Sequence, residues 1–555
     1  MNPLKFCVIA ALWCGFLVCA AAAQTTQPTS PREKLSMDFG WRFALGNAND
    51  ADKDFTFGET YFFNAKAGIV DGPASPQFDD RAWREVDLPH DWAVELPFDE
   101  HSDGGHGFKP VGRGYPQNNI GWYRKKFSVA NADAGKRFYL QFDGVFRNCT
   151  VFVNGFRFGP HESGYTSFGY DISDVINYGA ENVVTVRVDA SQKEGWWYEG
   201  AGIYRHVWLI KTDPLHLMSD AVTIAGYTKM DPANPYATNV TVHTLITKDD
   251  SGEASVSVEM EIFGPDGKSV GYHTETEHIS GSGQREGFSA VMPIDKPSMW
   301  SPDAPNLYKL IVTVRRGDAI TDRVEMPFGI RRIRFDKDKG LFINDQHVQV
   351  QGVCNHQDHA GVGIAIPDAL QEWRLKQLKA MGCNAIRTSH NPPTPELLDA
   401  CDRLGILVMD ENRQEGSDPE SEQQLRDLIM RDRNHPCVFI WSLANEEWGI
   451  EGSDRGAKIT AVMNRLAHLY DPTRRTTAAI DGGWGNGSSK SVDVMGYNYF
   501  NHGDVDHYHA THPDQPEIGT EEASTFSTRG IYFDDLPNAH LSAYDIHGPR
   551  YGSTA

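Results

Sequence analysis

The strongest constraint on this chain is a rhythm that begins near residue 334 and runs to Glu521. Short apolar runs of strand character alternate with longer segments of helical periodicity. The pattern predicts strands at Val348–Val353, Asn384–Arg387, Ile406–Asp410, Val438–Ser442, Thr476–Ile480, Val494–Tyr497 and Glu517–Thr520. Helices are expected over Asp368–Met381, where Leu375, Leu378 and Met381 share a face, over Pro395–Leu404, and over about Glu420–Asp432. Such alternation closes into a parallel barrel wrapped by helices. The expected class is therefore a (β/α)8-type TIM barrel. Residues 522–555 carry no eighth strand signal, so the barrel is expected to be truncated before strand eight.

Two of these strands end in a glutamate. Glu446 follows Val438–Asn445 and Glu521 follows Pro516–Thr520, 75 positions later. A barrel unit takes roughly 30 residues, so the interval is about three units. That puts one carboxylate after strand four and the other after strand seven. Strand C-termini in such a barrel ring one pocket. Two carboxylates across a pocket are the groups needed to cleave a glycosidic bond. Other strand ends are polar too: Asn355, His356 and His359 after the first, Arg387 to Asn391 after the second, and Asp410, Glu411 and Glu415 after the third. Tyr497 and Asn498 close the sixth. Any one of these has an ordinary structural explanation, such as a salt bridge or a satisfied histidine. Their concentration at one end of the strands marks a site.

Ahead of the barrel the periodicity is two. Residues 24–212 read as a jelly-roll-like β-sandwich, with alternating runs such as Arg137–Phe142 and a hairpin signal at Asn154-Gly155. A long segment, 97–120, holds five glycines and reads as a loop. Residues 213–329 read as a smaller immunoglobulin-like sandwich, and 330–555 as the barrel domain. The first 23 residues have the form of a cleaved signal peptide: Lys5, an apolar stretch from Phe6 to Cys19, then four alanines. Export is the expectation, to the periplasm or the medium. Beyond it no run is long and apolar enough to span a membrane.

The formal charge of −23 argues against nucleic acid and anionic membranes as partners. Five cysteines lie beyond the leader (Cys149, Cys354, Cys383, Cys401 and Cys437). They are widely spaced in apolar contexts, which reads as buried small hydrophobes rather than a disulfide framework or zinc site.

The strand-end residues, with motifs elsewhere, resemble glycoside hydrolase family 2, and within it the β-galactosidases. The resemblance covers nearly the whole chain beyond the leader. It is carried by Leu88-Pro89-His90-Asp91-Trp92, Val151-Phe152-Val153-Asn154-Gly155, Gly200-Ala201-Gly202-Ile203-Tyr204-Arg205, Arg387-Thr388-Ser389-His390-Asn391-Pro392 and Trp441-Ser442-Leu443-Ala444-Asn445-Glu446. It implies a retaining glycosidase with Glu446 as acid/base, Glu521 as nucleophile and carboxyls about 5 Å apart. It also implies sugar contacts from Asn445 (to the 2-hydroxyl), His356, His390 and Arg387. Tyr497 is near the expected place of a tyrosine that orients the nucleophile, with Tyr499 as the alternative. Some members of the family bind magnesium through Glu-x-His; here Glu415-Gly416-Ser417 keeps only the acid. No cofactor is required by this reading, and magnesium at Glu415 is the one metal it leaves open. The implied substrate is a β-galactoside; β-glucuronidase, β-mannosidase and a non-catalytic carbohydrate-binding fragment are the alternatives. An oligomer is compatible with everything above.

Overall fold

A computed structural model describes residues 30–59, 68, 70–194, 198–227, 237–522, 532–538 and 540. The leader expected at 1–23 lies outside the described residues.

The N-terminal region pairs a four-stranded sheet with a six-stranded one, all antiparallel. Apolar alternation drives this: in Arg137–Phe142, Phe138, Leu140 and Phe142 are buried while their neighbours are half-buried. The inward residues meet in a core with Trp41, Trp92, Tyr123, Phe146 and Val186. Asn154 and Gly155 have φ of +52° and +84° and join strands Cys149–Val153 and Phe156–His161. Two left-handed residues match the right-handed twist of a hairpin, which is why Asn-Gly occurs there. The glycine-rich 97–120 segment folds back on itself through short 3-10 turns at Gly104–His106 and Pro116–Asn118.

The next region stacks two four-stranded sheets. Their inner faces, including Val256, Val258, Met260, Ile262, Phe288 and Val312, form a separate core. Among the cysteines, Cys149, Cys401 and Cys437 are buried, while Cys354 and Cys383 are only half-buried.

The last region is a parallel sheet of seven strands in sequence order. They are β1 (Gly352–Cys354), β2 (Ala385–Arg387), β3 (Leu407–Glu411), β4 (Val438–Asn445), β5 (Arg475–Ile480), β6 (Met495–Asn498) and β7 (Glu517–Glu521). Around them lie α1 (Asp368–Met381), α2 (Pro395–Leu404), α3 (Pro419–Asp432), α4 (Asp454–Tyr470) and α5 (Val505–Thr511). Every residue of β4 is buried, as expected for a parallel strand covered on both faces. The expected first strand was too long: Val348 hydrogen-bonds back to Leu341, extending the preceding hairpin, and pairing with β2 starts only at Gly352. Helix α4 was not anticipated. Its buried stripe is Gly456, Thr460, Met463 and Ala467, mostly small residues.

Candidate active site

The functional side chains stand at the C-terminal ends of β2, β3, β4, β6 and β7. Alternation alone would not aim them all inward. In β4 the ladder to β5 is interrupted by a bulge between Ser442 and Asn445, after which Asn445 pairs with Ala479. A bulge re-aims the side chains that follow it. Glu446 then takes φ +50°, a left-handed conformation that a non-glycine residue holds only where its surroundings enforce it. Its N–H donates to Ala479 O at 2.9 Å and its carbonyl accepts from Trp448 N at 2.8 Å.

Arg387, at the end of β2, is the hub. Its Nε and Nη2 donate to both oxygens of Glu411, at 2.7 and 2.9 Å. Nη1 reaches Glu521 Oε2 at 3.1 Å, and Nη2 reaches Asn445 Oδ1 at 2.6 Å. Burial alone would raise the Glu411 carboxyl, but the Arg387 charge beside it holds it down at about 2. His390 Nδ1 donates to Glu411 Oε1 at 2.9 Å. Burial, then the Arg387 charge, lowers the His390 ring to about 4, so it is neutral at pH 7. The His356 ring stands edge-on to it with centroids 5.0 Å apart, and burial lowers its pKa too.

Asn498, fully buried at the end of β6, lies between the two glutamates. Its Nδ2 is 2.8 Å from Glu446 Oε1 and 3.4 Å from Glu521 Oε2. One nitrogen in reach of both keeps those oxygens within about 6 Å of each other; double displacement uses carboxyls about 5–5.5 Å apart and inversion about 6.5–9.5 Å. Glu446 is pushed up to about 7, chiefly by burial and further by the Glu521 charge, against the lowering effect of the Asn498 bond. Asn445 spends its Oδ1 on Arg387 and Asn498, while its buried Nδ2 has no hydrogen-bond partner among the described residues. A buried donor without an acceptor is uncommon and points to a group supplied from outside the chain.

The structure brings Glu446, Glu521, Asn445, His356, His390 and Arg387 into one site. Tyr497 is a correction. Strand alternation turns it outward, where its hydroxyl donates to Glu517 at 2.9 Å and its ring packs on Trp484 and Tyr508. The tyrosine beside the glutamate is Tyr499, at φ +56°, whose hydroxyl donates to Glu521 Oε1 at 2.6 Å. Asn498 and Glu411 were legible only as polar strand ends; nothing in the sequence showed that one would bridge the carboxylates and the other anchor the arginine.

Glu415 stands apart from this network. Its Oε1 accepts from the Thr460 and Ser488 hydroxyls. Burial, with the Glu447 charge, raises it to about 7. Among the described residues it belongs to neither cluster of three side chains able to share a cation. A carboxyl whose oxygen is taken by two hydroxyl donors, with no acids or histidines among the described residues grouped beside it in such a cluster, is a poor seat for magnesium, which wants several oxygen ligands, so the residues present do not fit that metal.

Three family models match the chain in order. They are the sugar binding domain of glycosyl hydrolases family 2 over residues 35–213, a further family 2 domain over 227–331, and the family 2 TIM barrel domain over 335–525. The chain belongs to glycoside hydrolase family 2. It is 36% identical to the β-galactosidase BoGH2A of Bacteroides ovatus, over 92% of this chain and 62% of that protein. It is 31% identical to a β-glucuronidase of Bacteroides fragilis, over 71% of this chain and 58% of that one. Among solved structures, a β-glycosidase from Bacteroides vulgatus superposes with a TM-score of 0.76 at 31% identity, covering 90% of this chain and 60% of that one. The chain thus spans about 60% of the length of these relatives.

Proposed function

We propose that this family 2 member is a retaining exo-glycosidase that removes terminal β-D-galactosyl residues. The observation that carries the reading is the Asn498 amide within reach of both Glu446 and Glu521, since that closeness suits a nucleophile and an acid/base on one glycosidic bond. Glu521 attacks the anomeric carbon while Glu446 protonates the departing oxygen. The aglycone leaves and a glycosyl ester forms on Glu521. Forming the ester removes the Glu521 charge, so the pKa of Glu446 falls and it can take a proton from water. Water then cleaves the ester with net retention. Arg387 and Tyr499 hold the Glu521 oxygens in attacking position, and the spare Asn445 N–H meets the sugar 2-hydroxyl, where contacts tighten in the transition state.

Galactose is favoured by the likeness to BoGH2A. A mechanism-based 2-fluoro-β-galactoside should label Glu521, identified by peptide mass. Labelling by the corresponding glucuronide alone would move the assignment to the β-glucuronidase reading. Export through the 1–23 leader belongs to the same proposal and is tested by fractionating expressing cells.

A further inference from the structure

Arg205 lies in the N-terminal domain, yet its guanidinium is buried against the barrel, with the residue only 4% exposed. A buried arginine usually faces a carboxylate. This one is held by neutral acceptors. Nη2 donates to Pro392 O at 2.7 Å and to Gln357 Oε1 at 3.2 Å. Nη1 donates to Tyr165 O at 3.0 Å, and to Asp143 O and Pro393 O at 3.3 Å. Its carbon Cζ sits 4.9 Å from the centroid of the Tyr204 ring.

The positions of these acceptors matter. Gln357 directly follows His356, and Pro392 is two residues beyond His390. A single nitrogen therefore ties together the two loops whose histidines stand edge-to-face at the sugar site. The space beside the clasp, lined by Tyr204, Asn355, Thr388 and Ser389 among others, amounts to about 20 Å³, room for one water. Little slack remains for either loop to drift.

We infer that Arg205 is a positioning residue supplied by the N-terminal domain, fixing the His356 and His390 loops relative to each other so that the sugar pocket of the barrel is complete. This rests on the glycosidase reading only for its kinetic consequence; the geometric claim stands apart from it. A planar fork can serve carbonyls on two loops at once, whereas a lysine ammonium is a point donor. Lysine at 205 keeps the charge and loses the bridge.

The test uses the full chain with ¹⁵N-histidine labelling, comparing Arg205→Lys and Gln357→Ala with the parent. Gln357→Ala removes one arm of the bridge without burying an unpaired charge, and serves if Arg205→Lys fails to fold. In a folded variant the imidazole signals of His356 and His390, assigned from single His→Gln substitutions, should shift and broaden. Galactoside kcat/KM should fall at least tenfold in Arg205→Lys and severalfold in Gln357→Ala, with the melting temperature of Gln357→Ala close to the parent's. Unmoved histidine signals in a folded variant would overturn the inference, and so would kcat/KM within twofold of the parent in Arg205→Lys. If the parent cleaves no galactoside, the glycosidase reading fails and the histidine signals alone decide this one.

Discussion

The two walls of the site carry the same residue type under opposite electrostatics. On the side of β2, β3 and β7, Glu411 and Glu521 share the Arg387 guanidinium, and Glu411 is ionised at any ordinary pH. On the β4 side, Glu446, Glu447 and Glu451 are all raised by burial, with Glu446 and Glu451 near 7. Arg387 lowers Glu446 only as the last of several influences. One cation thus sorts the carboxyls: Glu411, gripped by two of its nitrogens, is held down, while Glu446, Glu447 and Glu451 on the far wall are raised by burial, as suits an acid. Pairs of titratable groups pushed apart in this way are what acid/base division of labour requires.

The sharpest way to break the contrast is to remove the anionic partner. Glu521→Gln should lower galactoside turnover by roughly 10⁴-fold or more; near-normal turnover would place the nucleophile elsewhere. Glu446→Gln should lose about 10²–10⁴-fold on substrates with poor leaving groups and much less on a dinitrophenyl galactoside, whose leaving group needs no proton. Equal losses on both would deny Glu446 the acid role.

Taking out the cation tests the sorting itself. Arg387→Met leaves the buried Glu411, and the half-buried Glu521, without their counter-charge, and breaking a buried pair such as Arg387–Glu411 costs about 3–5 kcal/mol. Chemical denaturation at pH 7 should report that loss, with activity falling in the same sample. A variant as stable as the parent would mean that Arg387 does not hold the anionic wall.

The pH profile sharpens the contrast on the acid side. With Glu446 at about 7, kcat/KM should decline above about pH 7 as its proton is lost. The Asn498 bond lowers this pKa, so Asn498→Ala should move the basic limb upward while reducing the rate. A downward move would contradict the assignment.

The smallest effect is on stability at acid pH. Glu411 is depressed from 4.5 to about 2, so its contribution is fully present above about 4.5 and is lost as pH falls through about 2. The melting temperature of Glu411→Gln should therefore lie below the parent's at pH 7 and converge on it toward pH 2. A gap independent of pH would show that the ionisation of Glu411 contributes nothing.

Much of this was written in local pattern. The strand positions, the helices α1 to α3, the Asn154-Gly155 hairpin and the placement of Glu446 and Glu521 at strand ends follow from periodicity and turn chemistry, which act over a few residues and leave a trace in the order of residue types. Helix α4 left a weak trace because its buried stripe is small rather than apolar. What depends on the third dimension was not legible. Choosing Tyr499 over Tyr497 rests on which face β6 turns outward and on a left-handed residue at its end. The bridging by Asn498, the link from Arg387 to Glu411 and the reach of Arg205 across a domain boundary join residues from 23 to 187 positions apart. The sequence determined which groups arrive at the mouth of the barrel. Only the tertiary structure decided which carboxyl meets the cation and which is left to hold its proton, because charge acts through space and not along the chain.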